Sequence, residues 1–175
     1  MENRCQPIAL RCTKKLLDEF KRSRIPLSDM EVDLRYEWHV NLFYLDRKKC
    51  LMFTHTTTLY ALVVCGVKKQ DIINISDTFW NNLKMHFESE GFDINAYAKL
   101  EANTKKPIII KKTNSRHVLG SMNDYLRFVE HICYDDLGRI EQSKIVASMQ
   151  QLNRIPMGYI KGFSIDRMQE LLEQV

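Results

Sequence analysis

The segment that most constrains the fold is HVNLFYLDRKKCLMFTHTT, residues 39–57. Two apolar runs flank the polar tetrapeptide DRKK, and this arrangement predicts a β-hairpin. We expect Leu45 to pair with Cys50 across the turn. Because successive strand side chains point to opposite faces, the pairing divides the hairpin into two faces. The more apolar face, expected to meet the core, carries Val40, Leu42, Tyr44, Leu51, Phe53 and His55, and the other carries His39, Asn41, Phe43, Met52 and Thr54.

Three further segments have the composition of strands. They are PIALRCT at 7–13, TLYALVV at 58–64 and PIIIKKT at 107–113. Each is rich in β-branched or other apolar residues, which favours an extended conformation. The second of them is short enough that a helical turn is an alternative. Together with the hairpin, these segments predict a sheet.

Helical spacing of apolar residues marks the remaining elements. It predicts helices over 13–23, with Thr13 as N-cap, and over 71–90, with Gly91 as the residue that ends the helix. Further helices are predicted after Gly120, over 139–152 and after Ser164. Strands dominate the first half and helices the second. This order predicts one α+β domain over residues 1–175, with a mainly antiparallel sheet and helices concentrated in the C-terminal half.

The overall composition excludes several classes of protein. The chain is 45% hydrophobic and 27% charged, which is typical of a globular protein. It has no run of about 18–20 apolar residues and no signal-peptide pattern, so we expect a cytoplasmic protein without membrane contact. The five cysteines are widely spaced, so we expect free thiols. Nothing in the sequence indicates an oligomeric state.

Motifs for common catalytic chemistries are absent. The chain has no CxxC, HExxH or HxH motif, and the hairpin pairing places His39 and His55 on opposite faces. It also has no glycine-rich phosphate loop and no G-x-S-x-G elbow. We therefore predict no metal, no cofactor and no recognisable catalytic constellation.

The unusual segment TNSRHVLGSMNDY, residues 113–125, lies between the last predicted strand and a helix. Ser121 is expected at the N-cap or in the first turn of that helix, with Asp124 complementing the helix dipole. Basic residues cluster around this segment: Lys105, Lys106, Lys111, Lys112, Arg116 and His117. Such a cluster either protects an edge strand from pairing or contacts phosphate groups.

Four stretches together carry a resemblance: LRCTKKLL, NLFYLDRKKCLMFTHTTTL, RHVLGSMND and LNRIPM. The chain resembles an uncharacterised family of small bacterial proteins classed as a domain of unknown function. The similarity runs over nearly the whole chain, which implies one domain. The family implies no activity, substrate or cofactor, so no catalytic role is carried over. The stretch around Arg116 and Gly120 is the most specific of the four.

Two functional hypotheses follow from the segment and the charge. The net charge of +4 permits a non-catalytic module that contacts nucleic acid or another acidic partner. The alternative is an enzyme for a small phosphorylated or nucleotide-like molecule at the helix entry, helped by His39 or Asn41 of the hairpin. The candidate binding residues are Lys111, Lys112, Asn114, Arg116, Ser121, Asn123 and Asp124.

Overall fold

The computed structural model describes residues 6–134 and 137–174, apart from the side chains of 105–107. The predictions for Cys5 and for the Lys105 and Lys106 side chains lie outside these residues. A five-stranded mixed sheet has the order β4-β3-β2-β1-β5. Its strands are β1 Gln6–Cys12, β2 Glu37–Leu45, β3 Lys48–His55, β4 Ala61–Cys65 and β5 Thr104–Lys112. A second, two-stranded sheet joins β6 Pro156–Met157 to β7 Gly162–Phe163.

The sheet combines both strand directions. β2 pairs with β3 and β3 with β4 in antiparallel fashion, and the small β6–β7 pair is antiparallel as well. β1 lies between β2 and β5 and is parallel to both. Parallel neighbours need a crossover connection, and the segment between β1 and β2 supplies one.

The predicted hairpin is confirmed, but its register is shifted by two residues. Leu45 pairs with Lys48 across a two-residue turn, not with Cys50. Asp46 and Arg47 have φ angles of 44° and 63°, and two left-handed residues form the type of turn whose twist matches a hairpin. A two-residue shift leaves every side chain on its predicted face, so the division into two faces is correct.

Seven helices are present in the described residues. They are α1 Lys14–Arg22, α2 Lys69–Ile73, α3 Ile75–Glu90, α4 Ile94–Ala102, α5 Arg116–Ile132, α6 Gln142–Leu152 and α7 Ser164–Glu173. The predicted α+β class is therefore confirmed. The helices are less concentrated in the C-terminal half than predicted, because α1 forms part of the crossover between β1 and β2. No helix in the described part of the chain is long and apolar enough to cross a bilayer.

Both faces of the sheet are covered, although the sequence suggested one buried face. The first core contains Val40, Leu51 and Phe53 of the hairpin, packed with residues of α1, α3 and α7. The second core contains Phe43 and Met52 from the opposite face of the hairpin, packed under α5 and α6. The hairpin is therefore sandwiched between helices on both sides.

Candidate functional site

The strands β1 and β5 end side by side. They are parallel and adjacent, and Cys12 pairs with Lys112 at their carboxyl ends. After β1 the chain enters α1, whose residues pack in the first core, whereas after β5 it enters α5, which packs in the second core. The two helices therefore leave on opposite faces of the sheet. Open α/β sheets commonly bind ligands at such a point, which we call the switch point.

A buried row of polar side chains crosses the sheet on the face that α5 covers. Lys111, Arg11, His39 and Thr54 are register partners on four neighbouring strands. We call these four residues the polar row. All four are at most 8% exposed. Burying polar groups is unfavourable unless they are paired, so the partners of each member determine what the row can do.

Arg11 and Lys111 already have partners. Arg11 Nε lies 2.6 Å from a carboxylate oxygen of the buried Glu37, and Arg11 Nη1 donates to the Lys112 carbonyl at 3.1 Å. Lys111 Nζ donates to the Met30 carbonyl. These contacts fix both cationic side chains in place near the carboxyl ends of β1 and β5.

A chain of hydrogen bonds orients His39. The Thr56 hydroxyl donates to Glu37 Oε1 at 3.3 Å, and Thr56 Oγ1 lies 3.2 Å from His39 Nδ1. Since the hydroxyl proton goes to the carboxylate, the pattern assigns the ring proton to Nδ1. The other ring nitrogen, Nε2, is then the acceptor nitrogen of the ring. It is buried and has no well-directed partner among the described residues.

His39 is neutral at physiological pH. Burial and then the nearby Arg11 cation lower its pKa to about 4, against the opposing effect of a hydrogen bond with Asn114. Asn114 belongs to the loop between β5 and α5, so this hydrogen bond connects the polar row to the helix entry. A neutral imidazole can accept a proton or a hydrogen bond at its unprotonated nitrogen, which in His39 is Nε2.

Two more buried polar atoms lie on the elements that form this region. Thr54 Oγ1 and His117 Nε2 have no hydrogen-bond partner in the described part of the chain. His117 is in the first turn of α5, and its ring stacks on the exposed Tyr159 with a centroid distance of 3.4 Å. Tyr159, between β6 and β7, therefore covers one face of His117.

The start of α5 differs from the sequence prediction. Ser115 is the N-cap, and its Oγ accepts a hydrogen bond from the Val118 amide at 3.2 Å. The expectation that Ser121 caps the helix or lies in its first turn is therefore wrong, because Ser121 is on the buried side of the next turn. Asn123 and Asp124 are exposed further along the helix, and Asp124 lies 3.7 Å from Arg127.

The predicted site residues divide into two groups. Lys112, Asn114 and Arg116 are exposed near the switch point, whereas Lys111 is buried on the opposite side of β5 from Lys112. The hairpin residue Asn41 accepts a hydrogen bond from Thr13 at 3.0 Å. The sequence reasoning missed Arg11, Glu37, Thr54 and Thr56. A charged residue inside the apolar strand PIALRCT was the one available signal for Arg11.

Basic residues, and no acidic ones, occupy the first turns of the two helices that begin at the switch point. Lys14 and Lys15 start α1, and Arg116 and His117 start α5. The first turns of α2, α3 and α7 contain an aspartate instead, and those of α4 and α6 contain no acidic residue. An acidic residue complements the positive end of the helix dipole, and its absence leaves both helix starts electropositive.

The fold and the site define a class: an α+β protein whose mixed sheet carries a buried polar row beside an electropositive switch point. Among the described residues, no three His, Cys, Asp or Glu side chains are grouped so that they could hold a metal ion. The chain belongs to the family described as Domain of unknown function (DUF6933), whose model matches residues 9–165. No curated protein matches the chain significantly. The resemblance to a family of unknown function is thereby confirmed.

Proposed function

We propose that this protein binds a small phosphorylated or nucleotide-like molecule at the switch point. The observation that carries the proposal is the pair of electropositive helix starts, where Lys14 and Arg116 follow two adjacent parallel strands. Helix N-termini bind anions through free amide groups and the helix dipole. A phosphate group would complement the positive charge of such a helix start.

The start of α5 offers several donors to such a group. The amides of Val118 and Leu119 already bond to Ser115. The amides of Arg116 and His117 precede the first intrahelical bond and remain for a ligand. The exposed Lys112 and Arg116 side chains add charge, which strengthens hydrogen bonds to phosphate.

The polar row would contact the remainder of the molecule only after the side chains that bury His39 and Thr54 move aside. His39 Nε2 accepts hydrogen bonds, and Thr54 Oγ1 both donates and accepts them, so the pair suits a hydroxyl or amide group. If the protein is an enzyme for this ligand, His39 is the residue we assign as proton acceptor. Its low pKa keeps it neutral at pH 7, although it makes the ring a weak base.

Titration with inorganic phosphate and adenosine monophosphate, followed by amide NMR, tests the proposal. We expect the Arg116 and His117 amides to shift and Arg116→Ala to weaken binding by about tenfold or more, since a charge-assisted hydrogen bond contributes about 1.5–3 kcal/mol. The matched control is Arg127→Ala, which removes another exposed arginine of α5. Equal affinity of the two variants, or no binding of either probe by the wild type, would overturn the proposal.

Nucleic acid is a second candidate ligand, favoured by the exposure of the basic side chains of Lys14, Lys112 and Arg116. Each phosphate neutralised adds about 0.7–0.9 to the salt slope of log affinity. We expect a Lys112→Ala, Arg116→Ala double variant to bind labelled oligonucleotides with a slope shallower by about one to two. Lys111 is not a suitable target because its ammonium group is bound to Met30. No oligonucleotide binding at low salt would exclude this candidate.

A further inference from the structure

Three free cysteines lie in the second core, away from the switch point. Cys50 is in β3, Cys65 ends β4, and Cys133 follows the C-terminal end of α5. Cys50 and Cys65 are direct register partners in the antiparallel β3–β4 pair. Cys133 is close to both, because its charge raises the pKa of Cys65 and the charge of Cys50 raises the pKa of Cys133. The strand register therefore singles out one pair among the three.

The hydrogen bonds of β4 show which kind of register pair this is. The amide and carbonyl of Ala61 both bond to Asn153, and the Val63 carbonyl accepts from Gln142, so these groups point away from β3. Residue pairs alternate along an antiparallel ladder, which makes Cys50–Cys65 a non-hydrogen-bonded pair as well. Such pairs have a Cα separation of about 4.5 Å, within the range of about 4.4–6.8 Å that disulfides span.

In the reduced protein each of the two thiols shifts the pKa of the other. A hydrogen bond from the Cys65 thiol lowers the pKa of Cys50, with help from the Gly66 and Leu45 backbone and from the Lys48 charge. The same hydrogen bond, together with burial, raises the pKa of Cys65. Cys50 is buried, whereas Cys65 is partly exposed, so solvent reaches the pair from the Cys65 side. Cys50 is therefore the member of the pair whose pKa is lowered, and Cys65 is its direct register partner.

We propose that Cys50 and Cys65 are a site of reversible oxidation, closed to a disulfide by hydrogen peroxide. The Cys50 thiolate attacks peroxide, an S–O bond forms, the O–O bond breaks, and the leaving hydroxide takes up a proton to become water. The Cys65 sulfur then attacks the sulfenic acid, the S–S bond forms, and the oxygen leaves as a second water with the thiol proton. Two thiols are oxidised and one peroxide is reduced. The disulfide fastens the edge strand β4 to β3.

Peptide mapping after peroxide treatment and thiol alkylation tests the site. We expect the wild type to lose alkylation at Cys50 and Cys65 together, with one peptide pair linked, and dithiothreitol to restore both thiols. In Cys65→Ser, Cys50 should stop at the sulfenic acid and react with dimedone. In Cys133→Ala, the same disulfide should still form.

A matched control is Cys12→Ala, which removes another buried cysteine, in the first core, and should leave the linkage unchanged. A disulfide that includes Cys133, or full alkylation of Cys50 and Cys65 after peroxide, would overturn the proposal. Circular dichroism first checks that each variant keeps the fold, and only folded variants are compared by peptide mapping. These outcomes are independent of ligand binding at the switch point.

Discussion

Three buried histidines make the stability of this protein depend on pH. His39, His55 and His86 are all fully buried. Desolvation is the largest cause that lowers the pKa of each to about 4. His55 illustrates how a neutral ring is held, because its Nε2 donates to the Arg35 carbonyl while its Nδ1 accepts from the Thr58 amide. All three are therefore neutral in the native protein at pH 7.

The lowered pKa values of these three histidines predict that the protein loses stability as the pH falls. Between pH 6.5 and pH 4 the unfolded histidines bind protons that the native ones do not, so the free energy of unfolding falls as pH falls. Each histidine contributes up to about 1.4 kcal/mol per pH unit in that window. Urea unfolding at several pH values measures the slope. His39→Gln should make it shallower, and His131→Gln, at an exposed position, should not. A flat profile from pH 6.5 to pH 4 would contradict the prediction.

Helix α5 depends on a cap that lies just before it. The Ser115 side chain satisfies the Val118 amide, one of the donors that the first turn leaves without an intrahelical partner. The loop that carries Ser115 also carries Asn114, which bonds to His39. The same short loop therefore sets the start of the helix and one contact of the polar row.

We expect Ser115→Ala to lower the free energy of unfolding by about 1 kcal/mol, because the cap hydrogen bond is lost. Ser115→Asp is the matched control, since aspartate caps helices about as well as serine. Urea unfolding of both variants gives the comparison. Equal stability of Ser115→Ala and the wild type would show that the cap contributes nothing measurable.

At the scale of the molecule, one sheet joins two hydrophobic cores. Asn153, at the end of α6, is fully buried and connects several elements. Its side chain pairs with both backbone groups of Ala61 at 2.9 Å, and its carbonyl accepts from the Ile165 amide of α7. Asn153 therefore closes the free edge of β4 while it connects α6 to α7. Gln142 supports the same edge at Val63.

Asn153→Ala should destabilise the protein by at least about 2 kcal/mol, because two buried backbone groups lose their partners at about 1–3 kcal/mol each. Asn123→Ala, at an exposed position of α5, should change stability by less than about 0.5 kcal/mol. Denaturant unfolding followed by tryptophan fluorescence measures both. If Asn153→Ala lowers the free energy of unfolding no more than Asn123→Ala does, the backbone groups of Ala61 have other hydrogen-bond partners in the variant.

Most of the secondary structure was predictable from the sequence. The two faces of the hairpin and Gly91 as the left-handed end of α3 were predicted correctly. These features depend on periodicity and on residues a few positions apart. Helix α4 and the β6–β7 pair were missed because their apolar patterns are short. The hairpin register was also wrong, since a two-residue turn and a four-residue turn suit the same apolar pattern.

The candidate site was decided by the tertiary structure. The sequence by itself determined an electropositive segment around Lys112 and Arg116, because charge and hydroxyl content are visible in one short stretch. It did not indicate that Arg11 lies beside His39, because that contact depends on the strand order β2-β1-β5. Arg11 reaches the carbonyl of a residue 101 positions away. Local sequence patterns determine which face of the sheet a side chain occupies. Strand order determines which side chains are its neighbours. Strand order in turn depends on how the two cores are buried together.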